Sequence, residues 1–250
     1  MWNKLIAVFA GLCFVTHVWA AKTPVDDLKL DTLPIAHVKP TDVNKPMIVF
    51  MSGDGGWAEL DQRVSGMMEK QGMPVVGWST LTYFWEKKTP EQTTKDLERI
   101  LDYYTKTWHR DRIMLIGYSF GAEIIPFVLN RMSPEYRAKI VGAAMFVPTT
   151  SSNFVIHVSD WLPGSGDDGE YLTLPEMQQI KNIPMLCLYS DDKDPTDLCP
   201  MLQTQANVKV VQLTGGHNFD KHYSLVADTI LKTLNKAIVP DIPSTIEQTK

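Results

Sequence analysis

Arg112-Ile-Met-Leu-Ile-Gly117-Tyr-Ser119-Phe-Gly121-Ala-Glu-Ile-Ile125 is a short apolar run that stops at G-x-S-x-G and resumes with helical spacing. The pattern predicts a strand over Arg112 to Ile116, an abrupt turn, and a helix over Ala122 to Met132, which together make a nucleophile elbow. A strand that turns at once into a helix forces its central residue into a strained backbone. Small residues are therefore needed at Gly117 and Gly121, where side chains would collide. The strain lifts Ser119 Oγ out at the carboxyl end of a sheet and marks it as the candidate nucleophile.

On the N-terminal side of the elbow, Met47 to Ser52 predicts a buried strand that runs directly into Gly53-Asp54-Gly55-Gly56-Trp57. A glycine-rich turn after a strand lets backbone N–H groups point into the space above a sheet. It lacks the G-K-[ST] ending of a phosphate-cradling loop. Glu59 to Gln71 predicts a helix and Met73 to Trp78 a further strand. The loop Thr80 to Lys88 holds three adjacent aromatics, Tyr83, Phe84 and Trp85, which suit either the wall of a substrate pocket or a hydrophobic latch. Thr89-Pro90-Glu91-Gln92 caps a helix whose stripe is Leu97, Ile100, Leu101 and Tyr104.

On the C-terminal side, strands are expected over Ile140 to Val147, Pro184 to Tyr189 and Val208 to Leu213, with a last helix over Ser224 to Ala237. The stretch Pro148 to Glu176 breaks this alternation and sits where a small lid or an extra hairpin would be inserted. An acidic loop, Ser190-Asp191-Asp192-Lys193-Asp194-Pro195-Thr196-Asp197-Leu198-Cys199, follows the second of these strands, and Thr214-Gly215-Gly216-His217 follows the third.

A nucleophilic serine, an acidic cluster and a histidine thus stand in that order, each just beyond a strand in a β/α alternation. That is the order of the α/β-hydrolase fold, with a mostly parallel central sheet and helices on both faces. A serine hydroxyl is a poor nucleophile unless a base removes its proton, which is the role expected of His217. An acid then holds the imidazole tautomer. Asp194 is the expected acid because the loop turns back toward the site at Asp194-Pro195; Asp192 and Asp197 are the alternatives. For the oxyanion hole, Phe120 N–H follows the nucleophile and Asp54 N–H lies in the glycine turn. His109, His157 and His222 have no comparable setting, and no metal or cofactor is expected.

With 250 residues, 44% of them hydrophobic, the chain can bury one sizeable core, expected over residues 47–238. Lys4, the apolar run Leu5 to Val15 and the small residues of Val18-Trp19-Ala20 predict a cleavable signal peptide over residues 1–20. The apolar run falls short of the ~20 residues that span a bilayer. Residues 21–46, with prolines at 24, 34 and 40, are expected to wrap the surface or add an edge strand near Leu33 to Val38, and 239–250 to form a frayed tail. The net charge is −5 with basic residues scattered, which gives no footprint for nucleic acid. Export would leave two cysteines, Cys187 and Cys199, and in an oxidising compartment the pair should close a disulfide around the acidic loop.

Taken together, S-G-D-G-G-W, Y-F-W, G-Y-S-F-G-A-E-I-I-P, S-D-W, C-L-Y-S-D-D and L-T-G-G-H-N-F-D resemble the bacterial virulence protein family VirJ, whose domain also ends the longer AcvB proteins. The resemblance covers about residues 45 to 235. It implies a periplasmic α/β hydrolase linked to type IV secretion and DNA transfer, with AcvB-like members hydrolysing lysyl-phosphatidylglycerol. It implies Ser119 as nucleophile and His217 as base. Ser190 stands where many relatives have glycine, and Asn218 where a second histidine is common. Two classes follow: an esterase acting on aminoacylated phospholipid at the membrane surface, and a type IV secretion accessory that binds cargo on a hydrolase scaffold. A general carboxylesterase is a third. For a lysyl ester, carboxylates beside the triad would meet the amines. Asp54, Glu123, Asp160 and Asp167 to Glu170 are the candidates, with Tyr83, Phe84 and Trp85 for the lipid or the lysyl stem.

Overall fold

The computed structural model describes residues 23–28, 30–31, 44–157, 169–192 and 194–239. The expected signal peptide, the expected strand at Leu33 to Val38, Asp160, Asp167 and Asp168 of the insertion, and the tail from 240 onward lie outside the described residues.

Seven strands form the main sheet: β1 (Leu30–Asp31), β2 (Met47–Met51), β3 (Val75–Trp78), β4 (Ile113–Tyr118), β5 (Ile140–Phe146), β8 (Met185–Tyr189) and β9 (Val208–Gln212). Their order is β1-β3-β2-β4-β5-β8-β9, with β1 antiparallel to β3 and every other pair parallel. Between β5 and β8, β6 (Ser151–Ser152) and β7 (Tyr171–Leu172) pair as a separate antiparallel ribbon. The hairpin alternative for the insertion is therefore present at its base.

The helices are α1 (Glu59–Lys70), α2 (Thr80–Tyr83), α3 (Pro90–Trp108), α4 (Phe120–Arg131), α5 (Pro134–Arg137), α6 (Thr173–Gln179), α7 (Tyr223–Thr233) and α8 (Asn235–Ile238). The apolar strands divide their side chains between two cores, as a period of two requires. Met47, Val49 and Met51 of β2, with Ile113 and Leu115 of β4, meet the stripes of α3 and α4 on one face. Ile48, Phe50, Met114 and Ile116 meet α1 and α7 on the other. Burial on both faces explains why these strands read as continuous apolar runs.

Thr80 to Tyr83 was expected as loop and forms a helical turn. Ser52 Oγ accepts from Thr80 N–H at 3.1 Å, and Thr80 Oγ1 donates to the Gly53 carbonyl at 2.6 Å. These bonds pin the turn after β3 to the glycine turn after β2, and so set one wall of the site.

Candidate active site

Ser119 stands between the last residue of β4 and the first of α4 with φ 51° and ψ −121°. Such a backbone costs a non-glycine residue about 1–3 kcal/mol and persists only where the surroundings impose it. Here they do: Ser119 N–H donates to the Phe146 carbonyl at 2.8 Å, and the Ser119 carbonyl accepts from Ala122 N–H at 2.8 Å. A Cβ on Gly117 would lie 2.5 Å from the Gly121 carbonyl oxygen, and one on Gly121 would lie 2.3 Å from those of Met51 and Ser52. The two glycines are therefore a steric requirement of the elbow. Its product is a hydroxyl 3.0 Å from His217 Nε2.

His217 is carried by a loop that depends on left-handed backbone. Gly215 has φ 106°, and a Cβ there would sit 2.6 Å from Asp220 N. Phe219, Asp220 and Lys221 follow with φ of 55°, 46° and 63°, the first of them anchored in the core. Asp191 braces the same loop by accepting from Gly215 N–H at 3.0 Å. Tyr118, the residue before Ser119, donates its hydroxyl to the His217 carbonyl at 3.2 Å, and the two rings lie 5.4 Å apart. Desolvation holds the His217 imidazole below its usual value, although the residue as a whole is exposed; the charges of Asp54, Asp194 and Asp192 act the other way. The downward shift favours the neutral imidazole, the form that can accept a proton.

The acidic loop is tied down firmly, but its carboxylates do not converge on the base. Cys187 and Cys199 form the expected disulfide, with Cα atoms 5.5 Å apart. The loop also pairs with the segment after β5: Leu198 N–H donates to the Pro148 carbonyl at 3.0 Å and Thr150 N–H to the Thr196 carbonyl at 2.9 Å. Asp194 Oδ1 accepts from both Thr196 N–H, at 2.8 Å, and Thr196 Oγ1, at 2.6 Å, and so closes its own turn. Among the described residues, no carboxylate hydrogen bonds to His217 Nδ1, and the influence of Asp194 on the ring is through its charge. Asp192 Oδ2 lies 3.1 Å from the point where a Cβ on Gly216 would be. Asp197 is half-buried, and burial followed by the charges of Asp194 and Asp192 pushes it up to about 6.

Phe120 opens α4, so its N–H has no acceptor within the helix and is placed for an oxyanion. The glycine turn that carries Asp54 borders the nucleophile: a Cβ on Gly53 would be 3.5 Å from Ser119 Cβ. The three aromatics separate. Tyr83 and Phe84 are buried and form a latch instead of a substrate surface, because the helical turn of α2 folds both rings inward. Tyr83 packs on Trp78 at 4.7 Å and donates its hydroxyl to Asp96, while Phe84 packs on Phe120 at 5.1 Å and Phe154 at 5.8 Å. Trp85 alone of the three is exposed, at 58%. Glu123 is also displaced from the substrate role expected of it. One turn beyond Ser119, it is 6% exposed and lies 2.6 Å from Thr149 Oγ1.

Tyr118 and Thr149 are the site residues that sequence reasoning missed. The alternation of β4 places Tyr118 on the face of Met114 and Ile116, but nothing local says that the His217 loop lands there. Among the described residues, no group of three or more His, Cys, Asp or Glu could hold a metal ion, and no helix is long and apolar enough to cross a membrane.

The model of the family described as bacterial virulence protein (VirJ) matches residues 45–238. No curated protein matches the chain in sequence. Among solved structures, Est1E from Butyrivibrio proteoclasticus is similar with a TM-score of 0.56 at 16% identity, over 81% of this chain and 92% of that one. A proline iminopeptidase from Mycobacterium smegmatis is similar with a TM-score of 0.57 at 10% identity, over 76% of this chain and 90% of that one. At these identities the likeness establishes the α/β-hydrolase fold.

Proposed function

The chain belongs to the VirJ family of bacterial virulence proteins, and from that membership and its Ser119–His217 pair we propose that it is a periplasmic serine hydrolase that cleaves the aminoacyl ester of lysyl-phosphatidylglycerol. The observation that carries the hydrolase part is the 3.0 Å contact between Ser119 Oγ and His217 Nε2 at a strained elbow. A strained serine in register with a histidine from a distant loop has a use in acyl transfer and none in a scaffold.

In the proposed reaction, Ser119 Oγ attacks the lysyl carbonyl while His217 takes the hydroxyl proton. The oxyanion is held by Phe120 N–H and Asp54 N–H. Collapse breaks the ester bond, and His217 returns the proton to the departing glycerol oxygen, which releases phosphatidylglycerol. Water activated by His217 then hydrolyses the lysyl-enzyme to free lysine. Asp194 is the proposed acid, acting on the His217 ring through its charge, with Asp192 and Asp197 as the alternatives. The substrate's charge is supported by the local field: the charged groups that act on His217, Asp197 and Glu123 are all aspartates. A site with that potential favours the two amines of a lysyl ester. Residue pairing is consistent with an oxidising compartment, since Cys187 and Cys199 are joined.

The test is incubation of purified protein with vesicles containing lysyl-phosphatidylglycerol. Release of free lysine with unmodified phosphatidylglycerol is expected. Fatty acid release without lysine would make the protein a lipase, and release of neither would favour the secretion-accessory reading.

A further inference from the structure

His217 reaches the site on a loop whose anchors lie to either side of it. Asp191 accepts from Gly215 N–H, Phe219 is buried in the core, and Lys221 pairs with Glu59 of α1 at 3.1 Å. Phe219, Asp220 and Lys221 all have left-handed backbone, so the loop carries strain beside the base. Among the described residues, the hydrogen bonds made to His217 itself come from Ser119, at Nε2, and from Tyr118, at the carbonyl. A carbonyl only accepts, so the Tyr118 hydroxyl is the donor.

The Tyr118 ring lies between the base and the glycine turn. Its centroid is 5.4 Å from that of the imidazole, at an interplanar angle of 48°. A Cβ on Gly53 would come within 3.1 Å of its Cδ1 and 3.3 Å of its Cε1, closer than ordinary van der Waals contact. Residue 53 is thus glycine where the ring lies across it. The Tyr118 backbone is fixed in turn, as the last residue of β4, paired with Phe146 of β5 and followed directly by Ser119. One side chain therefore spans from the elbow to the base with the glycine turn at its back. We infer that Tyr118 is a positioning residue that sets the His217 imidazole against Ser119, gripping the base by its carbonyl and by the face of its ring.

The charge of Asp194 favours the imidazolium without aiming the ring, whereas a hydrogen bond and a ring contact have preferred directions. Burial, and after it the charges of Asp61 and Asp54, hold the phenol above its ordinary value, so it remains a donor across the range in which histidine titrates. The effect on catalysis rests on the serine-hydrolase reading; the placement of the imidazole does not.

Tyr118→Phe keeps the ring and loses the bond, and Tyr118→Leu loses both. A fluorophosphonate reads the activation of Ser119 whatever the natural substrate, through its maximal labelling rate and the concentration giving half of it. Tyr118→Phe is expected to lower the maximal rate about tenfold, the worth of one neutral hydrogen bond, and Tyr118→Leu about a hundredfold, through displacement of the imidazole. The half-maximal concentration should stay within about twofold in both, because the probe's binding contacts are kept. A role in stability alone would lower the melting temperature and leave the maximal rate unchanged.

Ring-proton NMR titration of His217, assigned by comparison with His217→Gln, needs no activity. Removing the Tyr118 ring admits water to an imidazole that desolvation holds low, while the charges of Asp54, Asp194 and Asp192 stay in place. The His217 pKa should therefore rise in Tyr118→Leu and stay near its wild-type value in Tyr118→Phe. A folded Tyr118→Phe protein that labels at the wild-type maximal rate would overturn the inference. So would a change confined to the half-maximal concentration, or a Tyr118→Leu protein whose His217 titrates as in wild type. If wild type takes up no probe, the serine-hydrolase reading falls, and the titration alone upholds or overturns the placement of the imidazole by Tyr118.

Discussion

In the elbow, Gly117 to Glu123, the backbone around Ser119 is held by adjoining strands and by helix bonds that begin within three residues, and steric exclusion at two glycines leaves the serine one place to go. In the acidic loop, Asp191 to Cys199, a disulfide and two backbone bonds hold the chain, yet the carboxylates are spent on different partners. Asp191 serves the histidine loop and Asp194 its own turn, while Asp197 is half-buried beside Thr149. Both regions lie at the carboxyl end of the same sheet. The difference teaches that fixing a backbone fixes a nucleophile, whereas an acid is chosen by where several equivalent side chains point, and that choice has small energy differences behind it.

The comparison breaks most visibly at the elbow. Ser119→Ala removes the attacking atom while alanine fits the same turn, so ester hydrolysis should fall by a factor on the order of 10⁶ with no loss of folding. Turnover assays alongside thermal melting check this, and retained activity in a folded variant would sink the enzyme reading.

The acidic loop is sharpened next. Asp194→Asn is expected to lower the rate by about 10⁴, as loss of the orienting acid does in triads, and the same substitution at Asp192 or Asp197 should cost far less. A pH profile adds a second readout. The base works only when neutral, and desolvation lowers its pKa, so the rate should fall as pH drops through a value below the ordinary ~6.5 of histidine. Since the Asp194 charge favours the imidazolium, Asp194→Asn should move that limb further down. If Asp192→Asn is the crippled variant instead, the acid lies two residues earlier than proposed.

The smallest effect concerns what holds the loop. Replacing Cys187 and Cys199 together by alanine should lower stability by about 3 kcal/mol, through the entropy of the released loop. Denaturant unfolding measures it. Fluorophosphonate labelling of Ser119 should change less than tenfold, because the disulfide anchors the acidic loop and not the elbow.

Much of this was legible in the chain itself. The elbow was readable because its requirements are local: two glycines and a serine at fixed spacing, an apolar run before and a helical pattern after. The order of Ser119, the aspartates and His217, and the pairing of Cys187 with Cys199, were readable for the same reason. The aromatic triplet was not. Adjacent residues such as Tyr83, Phe84 and Trp85 take opposite environments according to whether the segment is extended or coiled, and the bonds between Thr80 and Ser52, residues far apart in sequence, decided for a helical turn. Glu123 looked like a group at the mouth of the site because sequence proximity to Ser119 says nothing about depth.

The sequence by itself determined the fold class, the elbow at Ser119 and the disulfide, and it singled out His217 as the partner of that serine, since each rests on short-range geometry or on a residue type with a narrow chemistry. Only the tertiary structure decided that Tyr118 supports the histidine loop and that Glu123 lies beneath Thr149. Those contacts join segments up to about a hundred residues apart, and a side chain's partner across such a distance is set by how the helices and loops pack on the sheet, which no local pattern encodes.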